Sequence, residues 1–205
     1  MGARMPRLWK KIDLVEAPPV HLDETDDCYY ARDYVAGGGY GASKANSLIN
    51  NFKKPRSCQG DQLQWGYKLR DAKRFAAELS ELLPKSVVVA AIPSSRTIDD
   101  PEYDPRMEMM LEELQRLRCD ILIERPIIRV RPAAALHMGG RRSVEAVSET
   151  LAWAGFESTP DRVVLLDDVI TTGASFKACA RLVREHSPST GISGAFWARA
   201  VWPER

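Results

Sequence analysis

Long apolar runs, paired cysteines and a charge excess of either sign are all missing from this 205-residue chain. Without a stretch of about 20 apolar residues there is no candidate for a helix across a bilayer, so no membrane partner is expected. The N-terminus carries Arg4, Arg7, Lys10 and Lys11 but no apolar segment behind them, and so does not read as a signal peptide. Cys28, Cys58, Cys119 and Cys179 are far apart and form no C-x-x-C pair. That spacing argues against a zinc site or a disulfide scaffold. Reduced thiols in a cytoplasmic protein are the simplest expectation. Lys and Arg number 29 against 28 Asp and Glu. The overall charge therefore gives no support to nucleic-acid binding, although the basic arm Arg4 to Lys11 leaves room for an anionic partner.

What is present is an ordinary globular composition, 44% hydrophobic and 28% charged, in a chain long enough for one full core. Residues 1–20 read as an extended basic arm. Cys28 to Val35 has strand character, and Gly37-Gly38-Gly39 ends it. Ser43 can cap a short helix that reaches Phe52 and carries Ala45, Leu48, Ile49 and Phe52 on one face. Lys53 to Gly66 reads as a loop. Leu69, Ala72, Phe75, Ala76, Leu79, Leu82 and Leu83 recur at helical steps until Pro84. Val87 to Ile92 is a continuous apolar run, as in a strand covered on both faces. A helix over Pro105 to Arg118 and a strand at Ile121 to Ile123 follow. Ile127 to Val130 either extends that strand or opens the next loop. Arg131 to Arg142 reads as a polar loop, Ser143 to Trp153 as a helix, and Val163 to Leu166 as a strand. Phe176 to Glu185 reads as a helix, and Ile192 to Val201 as the last strand. Alternating strands and helices predict an α/β fold with a mainly parallel sheet flanked by helices. Residues 1–60 would form an arm and small extension, and residues 61–205 the core domain.

The most informative segment is Val163-Val-Leu-Leu-Asp-Asp-Val-Ile-Thr-Thr-Gly-Ala-Ser175. In open α/β sheets ligands bind beyond the carboxyl ends of the strands, where this pattern puts Asp167 and Asp168. Adjacent carboxylates repel, so they need donors such as sugar hydroxyls or the water of a divalent cation. The turn Thr171, Thr172, Gly173, Ala174 and Ser175 offers the opposite: amides, hydroxyls and the positive end of a helix, all suited to a phosphate. Carboxylates for ribose hydroxyls beside a phosphate cradle describe a ribose 5-phosphate. The competing explanation, a strand end with an ordinary turn cap, does not require the whole ordered set.

These residues resemble the signature of type I phosphoribosyltransferases, which bind 5-phosphoribosyl 1-pyrophosphate (PRPP). The order of elements from about Tyr67 to Val201 is consistent with that fold. A looser resemblance is to the ComF-type branch, carried by Tyr29-Tyr30 to Phe52-Lys53-Lys54, by Ala91-Ile92-Pro93-Ser94-Ser95-Arg96 and by the arginine-rich stretch Arg131 to Arg142. The N-terminal cysteine zinc module of many ComF-type proteins is missing. The resemblance implies the type I phosphoribosyltransferase fold with a small N-terminal extension or hood, and Mg²⁺-dependent transfer of the phosphoribosyl group to a nucleobase-like nitrogen acceptor. It makes Ser94, Ser95 and Arg96 the pyrophosphate loop, where a guanidinium can grip two oxygens. It makes His137, Arg141 and Arg142 the catalytic groups of a mobile loop, with Mg²⁺ arriving on PRPP and contacting Asp167 and Asp168 through water. Dimers are common in the family, so a homodimer is a further implication. The alternative is a PRPP- or nucleotide-sensing protein without turnover, or a ComF-like protein associated with nucleic acid.

Two other patterns carry less. Gly37 to Ala42 fits G-x-G-x-x-A, but the strand before it holds Arg32 and Asp33, so a flexible turn is the expectation. Phe196, Trp197 and Trp202 can stack on a planar ring, but aromatic residues in strands are more often packing.

Overall fold

The computed structural model describes residues 8–15, 19–132 and 143–202. The elements are β1 (Lys10–Lys11), β2 (Asp27–Tyr30), β3 (Asp33–Val35), α1 (Lys44–Phe52), α2 (Gln62–Ser80), β4 (Val88–Ala91), α3 (Arg106–Leu117), β5 (Leu122–Ile123), β6 (Ile127–Arg129), α4 (Val144–Ser148), β7 (Leu151–Trp153), β8 (Arg162–Ile170), α5 (Ala174–His186) and β9 (Gly191–Val201). A seven-stranded sheet runs β1-β2-β9-β8-β4-β5, with β3 also on β9. Only the β1–β2 pair in it is antiparallel. Strands β6 and β7 form a separate antiparallel ribbon. The α/β architecture, with a mostly parallel sheet between helices, is the one the element order predicts. Among the described residues no helix is long and apolar enough to cross a membrane.

Helices cover both faces, which is why β4 and β8 are continuously apolar and not alternating. On one face α1, α2 and α3 pack through Ile49, Phe52, Phe75, Leu79, Met110 and Leu114 onto Trp197 of β9. The Phe75 ring stacks on Trp197 at 4.9 Å, and Phe52 meets both rings edge-on. On the other face α4 and α5 bury Val144, Val147, Phe176, Ala180 and Val183 against Val163, Leu165 and Phe196. Phe196 and Trp197 are therefore core residues, whereas Trp202 is exposed.

Several elements differ from the expectation. The strand read over Cys28 to Val35 is two strands, both parallel to β9, broken at Ala31 and Arg32. Arg32 there turns to an ion pair with Glu78, which also accepts from Trp197 Nε1 at 2.6 Å. Helix α2 begins before Tyr67 because Asp61 accepts from the amides of Leu63 and Gln64. The stretch read as one helix over Ser143 to Trp153 is the short α4 followed by β7, which pairs with β6. Strand β8 runs on to Ile170 because β9 stays paired with it. Pattern alone cannot show such pairing, since the partners lie far apart in sequence.

The aromatic stack sits in a fully enclosed region, so truncation leaves a cavity. Phe75→Ala is expected to lower stability by about 3–5 kcal/mol, as read from the midpoint of urea unfolding.

Candidate functional site

A mismatch in strand length opens the site. Strand β4 ends with Ala91 opposite Leu166, and the Ile92 amide donates to the Leu166 carbonyl at 2.8 Å. Beyond that point β8 keeps β9 as its neighbour, with Asp167 opposite Phe196 and Ile170 opposite Arg199. The space β4 vacates is a cleft at the carboxyl end of the sheet, where ligands of open α/β sheets bind.

The cleft has two recesses that share Ile92 and Asp167. The smaller is lined by Thr171, Thr172, Gly173, Ala174, Ser175 and Phe176. The larger is lined by Ser94, Arg96, Arg106, Arg125 and Arg129 together with apolar side chains such as Ile98 and Ile127. The structure thus brings Asp167, the 171–175 turn, Ser94 and Arg96 together. Ser95 is exposed and outside the lining. His137, Arg141 and Arg142 lie outside the described residues.

The two carboxylates have opposite environments. Asp168 is buried and accepts from Arg106 Nε at 2.6 Å, with Lys53 Nζ at 3.1 Å. Arg106 also reaches Asp104 at 3.0 Å, and Asp104 pairs with Lys68 Nζ at 2.6 Å. Lys68 is fully buried and donates to the Phe52 and Lys54 carbonyls at 2.8 and 2.7 Å. Five charges of alternating sign therefore tie α1, α2, α3 and β8 together. Burial pushes the Asp168 carboxyl up, but Arg106 and Lys53 outweigh it and hold it below the usual carboxylate range. Among the described residues Asp167 makes no ion pair, and it accepts the Asp168 amide at 2.8 Å. Burial, and then the charge of Asp168, push its carboxyl well above the ordinary range. Burial lowers Lys68 despite its pairing with Asp104.

The turn is shaped for an anion. Gly173 has φ +82°, a left-handed conformation that side-chain-bearing residues rarely adopt, and it starts α5. The Ala174 amide lies 3.4 Å from Thr172 Oγ1, and the first-turn amides of α5 have no helical carbonyl to bond. The Pro93–Arg96 loop is gripped from the ribbon, since Arg129 donates to the Ser94 carbonyl at 2.6 Å and to that of Pro93 at 3.1 Å. Arg96 is paired with Asp100 at 2.9 Å and with Glu102, both surface contacts of little strength.

Sequence reasoning missed Lys53, Lys68, Asp104, Arg106 and Arg129 as parts of the site. Asp104 and Arg106 flank Pro105 at a helix start, which is unremarkable locally, and their partners are more than thirty residues away in sequence. A run of four apolar residues before Asp167 reveals a strand but not which carboxylate faces which layer.

Among the described residues no group of three or more His, Cys, Asp or Glu side chains is arranged to hold a metal ion. Asp167 stands there as a single carboxylate at the junction of the two recesses, with no ion pair among the described residues.

No family model matches the chain, and no curated protein matches it. Solved structures to which it is similar include a hypoxanthine phosphoribosyltransferase from Staphylococcus aureus. That match is 11% identical and covers 66% of this chain and 73% of the other, with a TM-score of 0.39. An adenine phosphoribosyltransferase from Leishmania tarentolae is 12% identical, with 90% and 93% covered and a TM-score of 0.41. Neither likeness says what this chain binds.

Adjacent carboxylates with opposite surroundings predict opposite stability effects. Asp168→Asn removes the charge facing buried Arg106 and is expected to cost about 3–5 kcal/mol at neutral pH. Asp167→Asn is expected to raise Tm at pH 8, by about 2–4 °C per kcal/mol gained. The folded state binds the Asp167 proton more tightly than the unfolded chain does, so wild type loses stability as pH rises above the unfolded carboxylate value. The gain in Asp167→Asn should therefore vanish as pH falls to about 4, the unfolded carboxylate pKa. Thermal melts from pH 4 to 8 read both effects.

Proposed function

We propose that the chain binds PRPP in this cleft and is a Mg²⁺-dependent phosphoribosyltransferase acting on a nucleobase-like nitrogen acceptor. The observation that carries the reading is Asp167, a carboxylate with no ion pair among the described residues, at the junction of the hydroxyl-and-amide turn and the Ser94–Arg96 recess. In this reading the 171–175 turn takes the 5-phosphate and Asp167 accepts from the ribose hydroxyls. Asp168 is assigned to the same ribose site, which it serves by holding Arg106 and Lys53 against the back of β8. Ser94, Ser95 and Arg96 receive the pyrophosphate, and the resemblance assigns the catalytic role to His137, Arg141 and Arg142. The acceptor nitrogen attacks the anomeric carbon, the carbon–oxygen bond to pyrophosphate breaks, and pyrophosphate leaves with the electron pair. The guanidiniums lining the larger recess lie where negative charge grows on the leaving group. Bound Mg²⁺ would supply further charge neutralisation at the diphosphate.

The ComF-type resemblance adds a second outcome, a PRPP-responsive protein without turnover. Titration calorimetry with Mg²⁺ and PRPP, followed by a pyrophosphate-release assay over a panel of bases, separates them. Binding with release is the expected result; binding without release from any acceptor favours the sensor. Asp167→Ala is expected to weaken PRPP binding about tenfold or more, because a charge-assisted hydrogen-bond acceptor is lost. Unchanged affinity in that variant would place the donor site elsewhere.

A further inference from the structure

The segment Pro19–Asp26 crosses the outer side of the 171–175 turn and belongs to neither recess. Its contacts converge on one peptide. The His21 amide donates to the Thr172 carbonyl at 2.9 Å. Where a β-carbon on Gly173 would stand, Leu22 Cδ2 is 3.0 Å away, Leu22 Cγ 3.1 Å and Pro19 Cβ 3.5 Å. Leu22 in turn closes a tight turn through its amide on the Pro19 carbonyl at 3.0 Å.

The segment is anchored on the carboxyl-terminal side of that contact. Lys177 Nζ lies 2.6 Å from Asp23 Oδ2 and 2.6 Å from Asp26 Oδ2. Arg184 reaches Asp26 Oδ1 at 3.5 Å, and the Asp26 side chain is fully buried. Strand β2 follows directly at Asp27 and is paired into the sheet with β9. The same Lys177 makes the first helical bond of α5, its amide donating to the Gly173 carbonyl at 3.0 Å. One residue thus ties the segment and the turn to the same helix end.

A trans peptide is planar, so its carbonyl and its N–H point in opposite directions. With the Thr172 carbonyl held outward by His21, the Gly173 N–H is directed away from the strap, towards the recess that Thr172 and Gly173 line. We propose that the strap Pro19–Asp26 is the positioning element of the anion-binding turn: the His21 amide sets the Thr172–Gly173 peptide so that the Gly173 amide faces the cleft, and Leu22 blocks the flip that would turn it away. This rests on the reading that the turn receives the 5-phosphate. Leu22 and His21 touch no ligand in this scheme and act through the peptide they hold. Gly173 is required here twice over, by its left-handed φ and by the closeness of Leu22.

The test separates the two halves of the cleft. Ribose 5-phosphate and inorganic pyrophosphate are titrated separately into wild type, Leu22→Ala, Leu22→Met, His21→Pro and the exposed control Leu63→Ala on α2. Leu22→Ala and His21→Pro are expected to weaken ribose 5-phosphate about five- to tenfold, the scale of one displaced hydrogen bond, with pyrophosphate affinity unchanged. Leu22→Met should retain most of the affinity, and Leu63→Ala all of it. Amide hydrogen exchange on the unliganded proteins gives a readout independent of any ligand. In Leu22→Ala the amides from Thr172 to Ser175 should exchange about tenfold faster, while those from Ala178 to Val183 keep their protection. Wild-type ribose 5-phosphate affinity in folded Leu22→Ala and His21→Pro would overturn the proposal, as would an equal loss for both ligands. If wild type binds no ribose 5-phosphate, the site reading fails, and unchanged exchange in Leu22→Ala then removes the strap's role as well.

Discussion

Two neighbouring carboxylates can stand in a half-buried strand only if at least one is neutralised, and the neutralisation of Asp168 shapes much of this molecule. Arg106 and Lys53 meet it from the helical layer, so α3 must start where its first residue reaches β8 and α1 must end where its cap residue does. Arg106 in turn brings Asp104, and Asp104 brings Lys68, whose ammonium fills the carbonyls at the end of α1. Neither Asp168 nor Lys68 is stable alone at its depth, since an isolated buried ion costs several kcal/mol, roughly. Together they fix three helices and a strand in one arrangement, and they leave Asp167 as the carboxylate with no ion pair among the described residues.

Around Asp167 the two loops are held by the same device from different directions. Arg129 takes the Pro93 and Ser94 carbonyls, and His21 takes the Thr172 carbonyl. In both cases an element remote in sequence grips the oxygen side of a loop peptide. Loops that must present amides to an anion cannot spend those amides on internal bonds, so rigidity has to come through the carbonyls. The left-handed Gly173 completes this for the turn.

Much of this was legible in the sequence. The apolar runs at 87–92 and 163–166, the capped helix ending at Phe52 and the Thr171–Ser175 turn can all be read from local pattern, because burial on two faces, an N-cap and a glycine turn leave local marks. The extension of β8 to Ile170, the split of the 28–35 strand and the ribbon of β6 and β7 were not legible. Each is decided by which strand lies alongside: β9, some thirty positions on, for β8, the same strand more than a hundred and sixty positions on for the split, and for the ribbon a pairing that outcompetes helical propensity. The same holds for the carboxylates. Adjacency marked Asp167 and Asp168 as a pair, yet their different surroundings depend on Arg106 and Lys53, whose local contexts are ordinary.

The pairing of β2 and β3 with β9 has a consequence for how the chain is made. Residues 27–35 find their parallel partner only at residues 193–201. At a synthesis rate of about 5–20 residues per second, the early strands leave the ribosome on the order of ten seconds before that partner exists. The strap just ahead of them meets α5 in the same late interval. The strap is thus synthesised long before the helix that seats it, so nascent chains pass through a period with open strand edges and an unformed pocket.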